Sequence, residues 1–460
     1  MYLPTTWTRR AALALTLSSL ASCAELADPA PAPGTHPAAA TVDDEARRYA
    51  DDLAFFRARR AAYETTGAIP SVPPSLSTNP ADPEYVFLRY VHIGTEAERA
   101  AYEARLAAQG APAPTAAEQA DYETTFEQDA AAGVLGVYVN DAGEMWGYRP
   151  RNIVDRLRAL RATRGNPDLR SVRASATVAD SPTARGLAPA LAVLGADDRV
   201  LRSGLTGHTM TAYPWRAFGA LVRNGQATSE IPDVHCSATK IGERYLLTAG
   251  HCSFDAGDGV GSLYPTDWWP GADGLAKKLT GAASAPNGRK NIQWYYYSKK
   301  FVDKGWYSRD YAVLVLYDNT SSCGLGSLGY RVDLSLAGQA TWNFGYPGED
   351  RACAASPDAT GKCGGSLWGS SSYITRTEIP YIFYKHDTDH GQSGSAVYDY
   401  NGGNRQLVGH ERAVEVARAG GRGAHGDRVA HEHHALDVGD VLLVGAVAVR
   451  AELDVVVVVV

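Results

Sequence analysis

Two short segments about 140 residues apart carry a histidine and a serine in settings that suit acyl transfer. His251 closes an apolar, strand-like run that begins at Leu246, and Ser393 lies inside the glycine-flanked turn 391–394. A serine hydroxyl is too weak an acid to attack an amide unaided, so an imidazole has to take its proton. We therefore predict His251 as general base and Ser393 as nucleophile, with the N–H groups of Gly391 and Ser393 as oxyanion donors.

An acid that could orient the histidine lies between these two segments. Asp310 stands just before the apolar run Ala312–Leu316, so its carboxylate can face the imidazole from the start of a buried strand. Asp303 lies close by and is the alternative, because acids near strand starts are often only caps. We predict Asp310 as the orienting acid, which gives the chain order histidine, aspartate, serine.

This order resembles that of the chymotrypsin-like serine proteases, and the flanking motifs are similar to the bacterial glutamyl endopeptidase branch of that family. The resemblance covers residues 192–409, under half of the chain. It implies an all-β double barrel of chymotrypsin-like type, with the three groups at the barrel junction. Short apolar runs separated by turn residues after residue 192 also favour an all-β domain. The motifs that carry the resemblance are Val193–Arg199, Ala212–Trp215, Leu246–Cys252, Gly345–Glu349 and Asp387–Ser393.

The cysteines predict two disulfides. The resemblance implies that Cys236 and Cys252 form the bond that closes the histidine loop. Cys353 and Cys363 flank a short loop containing glycine and proline, which brings its ends together and makes them a second candidate pair. Cys323 is then left over, and its partner stays open.

Substrate preference is less defined by the sequence. Asp387 stands six residues before Ser393, where trypsin-like enzymes carry the acid that binds a basic side chain at P1, the residue before the cleaved bond. The same Asp-Thr pair occurs in the glutamyl branch without that role. The resemblance therefore implies Glu or Asp at P1, while Asp387 keeps a basic P1 open.

The N-terminus predicts export. Arg9-Arg10 and the apolar run from Ala11 to Ala21 are typical of a signal peptide, and the following Ser22-Cys23 completes a lipobox-like end to residues 1–23. We predict lipidation of Cys23, with an ordinary signal peptide as the alternative. Either interpretation places the protein outside a bacterial cell or on its outer envelope, where disulfides persist. The net charge of −7 favours neither nucleic acid nor an anionic membrane as partner, so the only predicted membrane contact is the lipid anchor.

The residues between the signal and the protease-like part fall into two regions. Residues 24–41 are rich in Ala and Pro, which is typical of a flexible, extended tether. Residues 42–191 predict a largely helical (α or α+β) propeptide that inhibits the enzyme or helps it fold; the alternative is a spacer. The expected elements are helices near 43–60, 96–109, 116–132 and 153–164, and a hairpin at 137–147.

The last 51 residues differ from the rest of the chain. Residues 410–460 use only eight residue types, all with codons that begin with G or C, as expected when a GC-rich gene is read in a shifted frame. We predict that 410–460 is an out-of-frame tail, so that the protease domain 192–409 is C-terminally incomplete. The alternative is a natural low-complexity tail.

These observations leave two functional classes. The first is a serine endopeptidase, made as a zymogen, that acts as a monomer on proteins or peptides without a cofactor or metal. Its own propeptide would be its protein partner. The second is a catalytically dead homologue that serves as a surface binding or structural protein, because the C-terminal part of its fold is missing.

Overall fold

The computed structural model describes residues 42–109, 133–150, 171–172, 199–202, 209–223, 234–256, 261–273, 286–306, 309–317, 324–331, 337–347, 365–378, 381–384, 386, 391–401, 404–410, 431–435, 442–443 and 458–459. Its helices are α1 Val42–Thr66, α2 Glu96–Gln109 and α3 Lys299–Lys304, with 3-10 turns at Trp215–Ala217 and Gly250–Cys252. The strands before residue 260 are β1 Tyr85–Tyr90, β2 His92–Ile93, β3 Gly136–Val139, β4 Glu144–Tyr148, β5 Ser171–Val172, β6 Val200–Leu201, β7 Phe218–Arg223, β8 Val234–Lys240, β9 Tyr245–Thr248 and β10 Phe254–Asp255. The later strands are β11 Ser262–Leu263, β12 Thr266–Pro270, β13 Lys290–Ser298, β14 Ala312–Leu316, β15 Gly329–Arg331, β16 Ala340–Gly345, β17 Trp368–Glu378, β18 Tyr381–Tyr384, β19 Ala396–Asn401, β20 Asn404–His410, β21 His431–Ala435, β22 Leu442–Leu443 and β23 Val458–Val459.

The first barrel is a closed sheet of six antiparallel strands. Its strands follow the order β12-β7-β8-β9-β14-β13, and β12 pairs with β13 to complete the circle. Strand β14 consists of five apolar residues that are all buried, as expected for a strand covered on both faces. Closure leaves the barrel without free edges along this path.

The second barrel has the same strand count. Its strands follow the order β16-β17-β18-β21-β20-β19, and β19 pairs with both β16 and β20. Strands β15 and β5 extend the sheet beyond β20, and β6 pairs with β17. The structure thereby confirms the predicted all-β double barrel with an α+β segment before it.

Residues 42–150, called here the N-terminal segment, combine helices α1 and α2 with strands β1 to β4. Helix α2 and the β3–β4 hairpin form where the sequence predicted them. Strand β1, which pairs with β4, was not predicted. The helices expected at 116–132 and 153–164 lie outside the described residues.

The N-terminal segment shares a sheet with the first barrel, because β3 pairs with β13. Side chains of β13 alternate between two buried clusters: Tyr295 and Tyr297 pack in one, and Trp294 and Tyr296 in the other. The second of these clusters also contains Tyr138 of the N-terminal segment. Both faces of β13 are therefore buried.

Among the described residues, no helix is both long and apolar enough to cross a bilayer.

The described residues of the tail form strands at more than one place: β22 and β23 pair with each other, and an earlier segment joins the second barrel. Residues 431–435 form β21, which lies between β18 and β20 in the second barrel. The prediction that the protease domain is C-terminally incomplete at residue 409 implied that the tail adds no strand to it. Main-chain ladder bonds do not depend on side-chain identity, so an unpaired gap between two strands can accept such a segment. The reading-frame interpretation itself stays a prediction.

Candidate active site

His251 lies where the first barrel meets the second. Strand β9 ends at Thr248, and His251 follows in the 3-10 turn Gly250–Cys252. A side chain at Gly250 would place a Cβ 2.8 Å from the Phe301 ring and 3.0 Å from Asp310 Oδ1. The glycine therefore lets the turn approach the acid closely.

Asp310 holds the histidine with both carboxylate oxygens. The His251 main-chain N–H donates to Oδ1 at 2.7 Å, and Nδ1 lies 2.7 Å from Oδ2. Asp310 is fully buried, whereas 12% of the His251 side chain is exposed. An ionised carboxylate only accepts hydrogen bonds, so Nδ1 carries the hydrogen and Nε2 keeps a lone pair that can take a proton.

The alternative acid has another partner. Asp303 lies on α3, is partly exposed and forms an ion pair with Lys299 one turn earlier in the same helix. Such exposed pairs at this spacing support a helix surface by only a few tenths of a kcal/mol. The structure thus places Asp310 beside the imidazole and Asp303 on the surface.

Ser393 sits in a turn that needs glycine on both sides. Gly391 and Gly394 have φ values of 89° and 81°, which residues with a side chain rarely adopt. A Cβ on Gly394 would also lie 2.1 Å from Thr248 Oγ1. The Ser393 carbonyl lies 3.7 Å from Cys252 Sγ, next to the histidine. This brings the serine turn of the second barrel against the histidine loop of the first.

Ser237, on β8 of the first barrel, joins the two barrels at this turn. Its N–H donates to the Ser393 carbonyl at 2.8 Å, and its hydroxyl donates to the Gly391 carbonyl at 3.1 Å. The same hydroxyl accepts from the Tyr346 N–H at 2.8 Å. Ser237 was not predicted from the sequence, where its adjacency to Cys236 was the available signal.

The histidine loop is closed by the disulfide between Cys236 and Cys252, as the resemblance implied. Both sulfurs and a ring nitrogen of His251 lie within 4.8 Å of one another. Because both sulfurs are used in the disulfide, they are not thiolates and the group is not a metal site. Cys23, Cys323, Cys353, Cys363 and Asp387 lie outside the described residues.

The second barrel also contains a buried polar network. Burial lowers the pKa of His386 to about 3, so its ring is neutral near pH 7. Its Nε2 lies 3.0 Å from Thr341 Oγ1 and its Nδ1 lies 2.9 Å from Ser370 Oγ. In the same barrel, Ser395 donates to Asn343 Oδ1 at 3.0 Å.

Comparisons with known proteins found one similar protein sequence and several similar solved structures. No protein-family model matches the chain. The chain is similar to the glutamyl endopeptidase of Bacillus licheniformis, with 28% identity over 226 residues, which is 47% of this chain and 58% of that protein. The chain thus spans under two thirds of the relative's length. The predicted resemblance to chymotrypsin-like serine proteases of the glutamyl endopeptidase branch is confirmed.

Solved structures of proteases also match. A Glu endopeptidase has 21% identity and a TM-score of 0.40, with 54% of this chain and 94% of that chain covered. A protease from Arthrobacter nicotinovorans has 18% identity and a TM-score of 0.33, with 48% and 89% covered. A thermostable serine protease from an extremophilic microorganism has 18% identity and a TM-score of 0.34, with 49% and 93% covered.

Proposed function

We propose that this protein is a serine endopeptidase that hydrolyses peptide bonds through an acyl-enzyme on Ser393. Nε2 of His251 takes the Ser393 proton, and Asp310 keeps the imidazole in the required tautomer and supports its positive charge. The N–H groups of Gly391 and Ser393 donate to the oxyanion. The observation that carries the proposal is the pair of 2.7 Å bonds from His251 to the buried Asp310, at the junction that also holds the serine turn.

The preferred substrates are proteins or peptides with Glu or Asp at P1. Support comes from the similarity to the glutamyl endopeptidase of Bacillus licheniformis and from the glutamyl-type motifs around Ser393. Peptides that differ only in Glu, Asp, Arg or Leu at P1 test this preference through kcat/KM. Highest kcat/KM with Arg would contradict it and would instead assign Asp387 to the pocket.

The enzyme is exported, anchored through Cys23 or released, and made as a zymogen. The export signal and lipobox-like end of residues 1–23 support the location, and the position of 42–191 supports the zymogen. Activation cuts the chain between Arg185 and Val193. N-terminal sequencing of the active species should find a new terminus in that interval, and an active species that begins at Cys23 and remains uncut would contradict activation by cleavage.

A fluorophosphonate probe tests the central claim, because it labels only an activated serine. The chain cut between Arg185 and Val193 should be labelled, and the same cut chain carrying Ser393→Ala should not. Ser371→Ala, which removes a partly exposed hydroxyl on β17, should be labelled like the parent. Labelling of Ser393→Ala at the parental rate would refute the assignment.

The second candidate function is a catalytically dead surface protein. The restricted composition of residues 410–460 favours it, since a frame shift near Gly409 would replace strands that wall the substrate pocket. A folded chain that takes no probe even after a cut between Arg185 and Val193 would support this candidate. Translation of the gene in its other two frames after Gly409 separates the two: a further strand and terminal helix there would restore the enzyme.

A further inference from the structure

One face of β13 and β14 is apolar and is covered by the N-terminal segment. Trp294 and Val313 of the barrel belong to the same buried cluster as Phe56 of α1 and Tyr138 of β3. The Phe56 and Trp294 rings lie 5.7 Å apart, and Tyr138 lies 4.9 Å from Tyr296. An aromatic side chain buries about 150–250 Å² in such a contact, so departure of the segment would expose a large apolar area.

The same contact continues the barrel sheet. Strand β3 pairs with β13 over four register positions, from Tyr295↔Val139 to Ser298↔Gly136. Val137 and Val139 are fully buried. Loss of β3 would leave this stretch of β13 as an unpaired edge, which proteins normally avoid.

Two glycines show how closely the surfaces fit. A Cβ on Gly136 would lie 2.1 Å from the Tyr296 hydroxyl oxygen, and a Cβ on Gly94 would lie 2.2 Å from Cε1 of Tyr264. In both places the backbone of the N-terminal segment rests directly on a tyrosine of the barrel domain. No larger residue can take these positions without a shift.

Helix α2 reaches the loop that follows His251. Arg99 is 2% exposed, and its Nη1 donates to the Cys252 carbonyl at 2.8 Å. Its guanidinium also lies 5.0 Å from the centre of the Tyr264 ring. One turn later the Tyr102 hydroxyl donates to the Phe254 carbonyl at 3.3 Å. The segment therefore contacts main-chain atoms of the histidine loop itself.

The N-terminal segment contacts the loop that follows His251 at two further points. Arg105 forms an ion pair with Asp255, whose side chain is buried. Strand β2 pairs in parallel with β11, and the Gly94 N–H donates to the Leu263 carbonyl at 2.9 Å. A charged helix face and a strand pairing thus contact residues 252–255 and 262–264.

We propose that the N-terminal segment is a permanent part of the catalytic unit, not a removable inhibitor. It stays docked on the first barrel after the chain is cut between Arg185 and Val193, and Arg99 positions the His251 loop through the Cys252 carbonyl. The docking is independent of the proposed activity, whereas the positioning role rests on it. The buried aromatic face and the shared sheet are typical of a domain core rather than of a transient interface.

Cleavage without denaturation tests the docking. A site-specific protease sequence is placed between Arg185 and Val193 of the full chain, the chain is cut, and the product is run on a size-exclusion column. The two fragments should co-elute and separate only in denaturant. Separation without denaturant overturns the proposal, whether or not activity survives.

Glycine variants test the contact surface. Gly136→Ala and Gly94→Ala should each raise the fraction of free N-terminal fragment after cleavage at least tenfold. Gly324→Ala is the matched control, because a Cβ there meets nothing within 4 Å. If both glycine variants release no more N-terminal fragment than the parent does, the assigned contact surface is wrong.

Arg99 variants test the positioning role. Arg99→Met should lower kcat at least tenfold with KM nearly unchanged, and Arg99→Lys should recover part of the loss because it keeps a donor. Arg57→Met removes an exposed cation of α1 and serves as control. A parental kcat in Arg99→Met, with active sites counted by the probe, overturns the role. If the cut chain takes no probe, the proposed function fails, yet the co-elution result still decides the docking.

Discussion

The first barrel holds His251 and Asp310 against an apolar and aromatic core, whereas the second holds Ser393 and contains a buried polar network. In the first, packing and one carboxylate fix the base. In the second, the two ring nitrogens of the buried His386 bond to the Thr341 and Ser370 hydroxyls. Apolar packing tolerates volume-conserving change, but a buried polar network fails when one member is lost.

The difference suggests how the two halves of the site would respond to change. In the first barrel, activity should depend mainly on the single carboxylate that orients the imidazole. In the second barrel, the free energy of unfolding should depend on the protonation of the buried His386 ring. Ser237 crosses between the barrels, so its loss should affect the alignment of the two halves without unfolding either.

The largest expected effect is that of Asp310→Asn in the first barrel. An amide in this position favours the wrong imidazole tautomer, so kcat should fall about 10⁴-fold while the fold is kept. The measurement is kcat per probe-reactive site at neutral pH. Asp303→Asn is the matched control. It should leave kcat unchanged, because Asp303 forms its ion pair with Lys299 on the surface of α3. A loss under tenfold in Asp310→Asn would contradict the assigned acid.

Sequence reasoning succeeded where the signal is local. The spacing of apolar residues predicted α2, and the Asn-Asp-Ala-Gly turn predicted the β3–β4 hairpin. The acidic residue beside an apolar run led to Asp310 being predicted over Asp303; Asp310 Oδ2 lies 2.7 Å from His251 Nδ1, and its catalytic role stays a prediction. Each of these patterns is complete within about a dozen residues.

Sequence reasoning failed where the partner is distant in the chain. Arg99 and Cys252 are 153 positions apart, and nothing near Arg99 indicates that its side chain is buried. Ser237 likewise gains its role from carbonyls 154 positions away or more. Strand β1 was missed because its partner β4 supplies the pairing. Tertiary contacts of this kind carry no local periodicity.

The next effect concerns stability of the second barrel at acid pH. The folded chain holds His386 neutral, with its pKa lowered to about 3 from 6.5 by burial. Below pH 6.5 the unfolded chain binds a proton that the folded chain does not, so stability falls as pH decreases, by up to about 1.4 kcal/mol per unit. Above pH 6.5 this loss is absent.

His386→Gln isolates this contribution, because an amide can still bond to both hydroxyls. Between pH 7 and 4.5 the variant should lose about 2–3 kcal/mol less unfolding free energy than the parent, measured by urea denaturation. His92→Gln removes a histidine whose side chain is 47% exposed and should follow the parent. Parallel acid losses in the parent and His386→Gln would show that the ring is not held neutral.

The smallest effect is expected at the bridge between the barrels. Ser237→Ala removes the donor to the Gly391 carbonyl and the acceptor for the Tyr346 N–H, while the main-chain bond to the Ser393 carbonyl remains. A buried hydrogen bond contributes about 1 kcal/mol, so kcat should fall roughly fivefold to tenfold with KM nearly constant, because the turn is displaced rather than dismantled. Ser298→Ala, at a buried serine of the same barrel that makes no side-chain cap bond to α3, should leave kcat unchanged. Equal kcat values for Ser237→Ala and Ser298→Ala, per probe-reactive site, would mean that the barrels are aligned by packing alone and that the hydroxyl bridge has no part in catalysis.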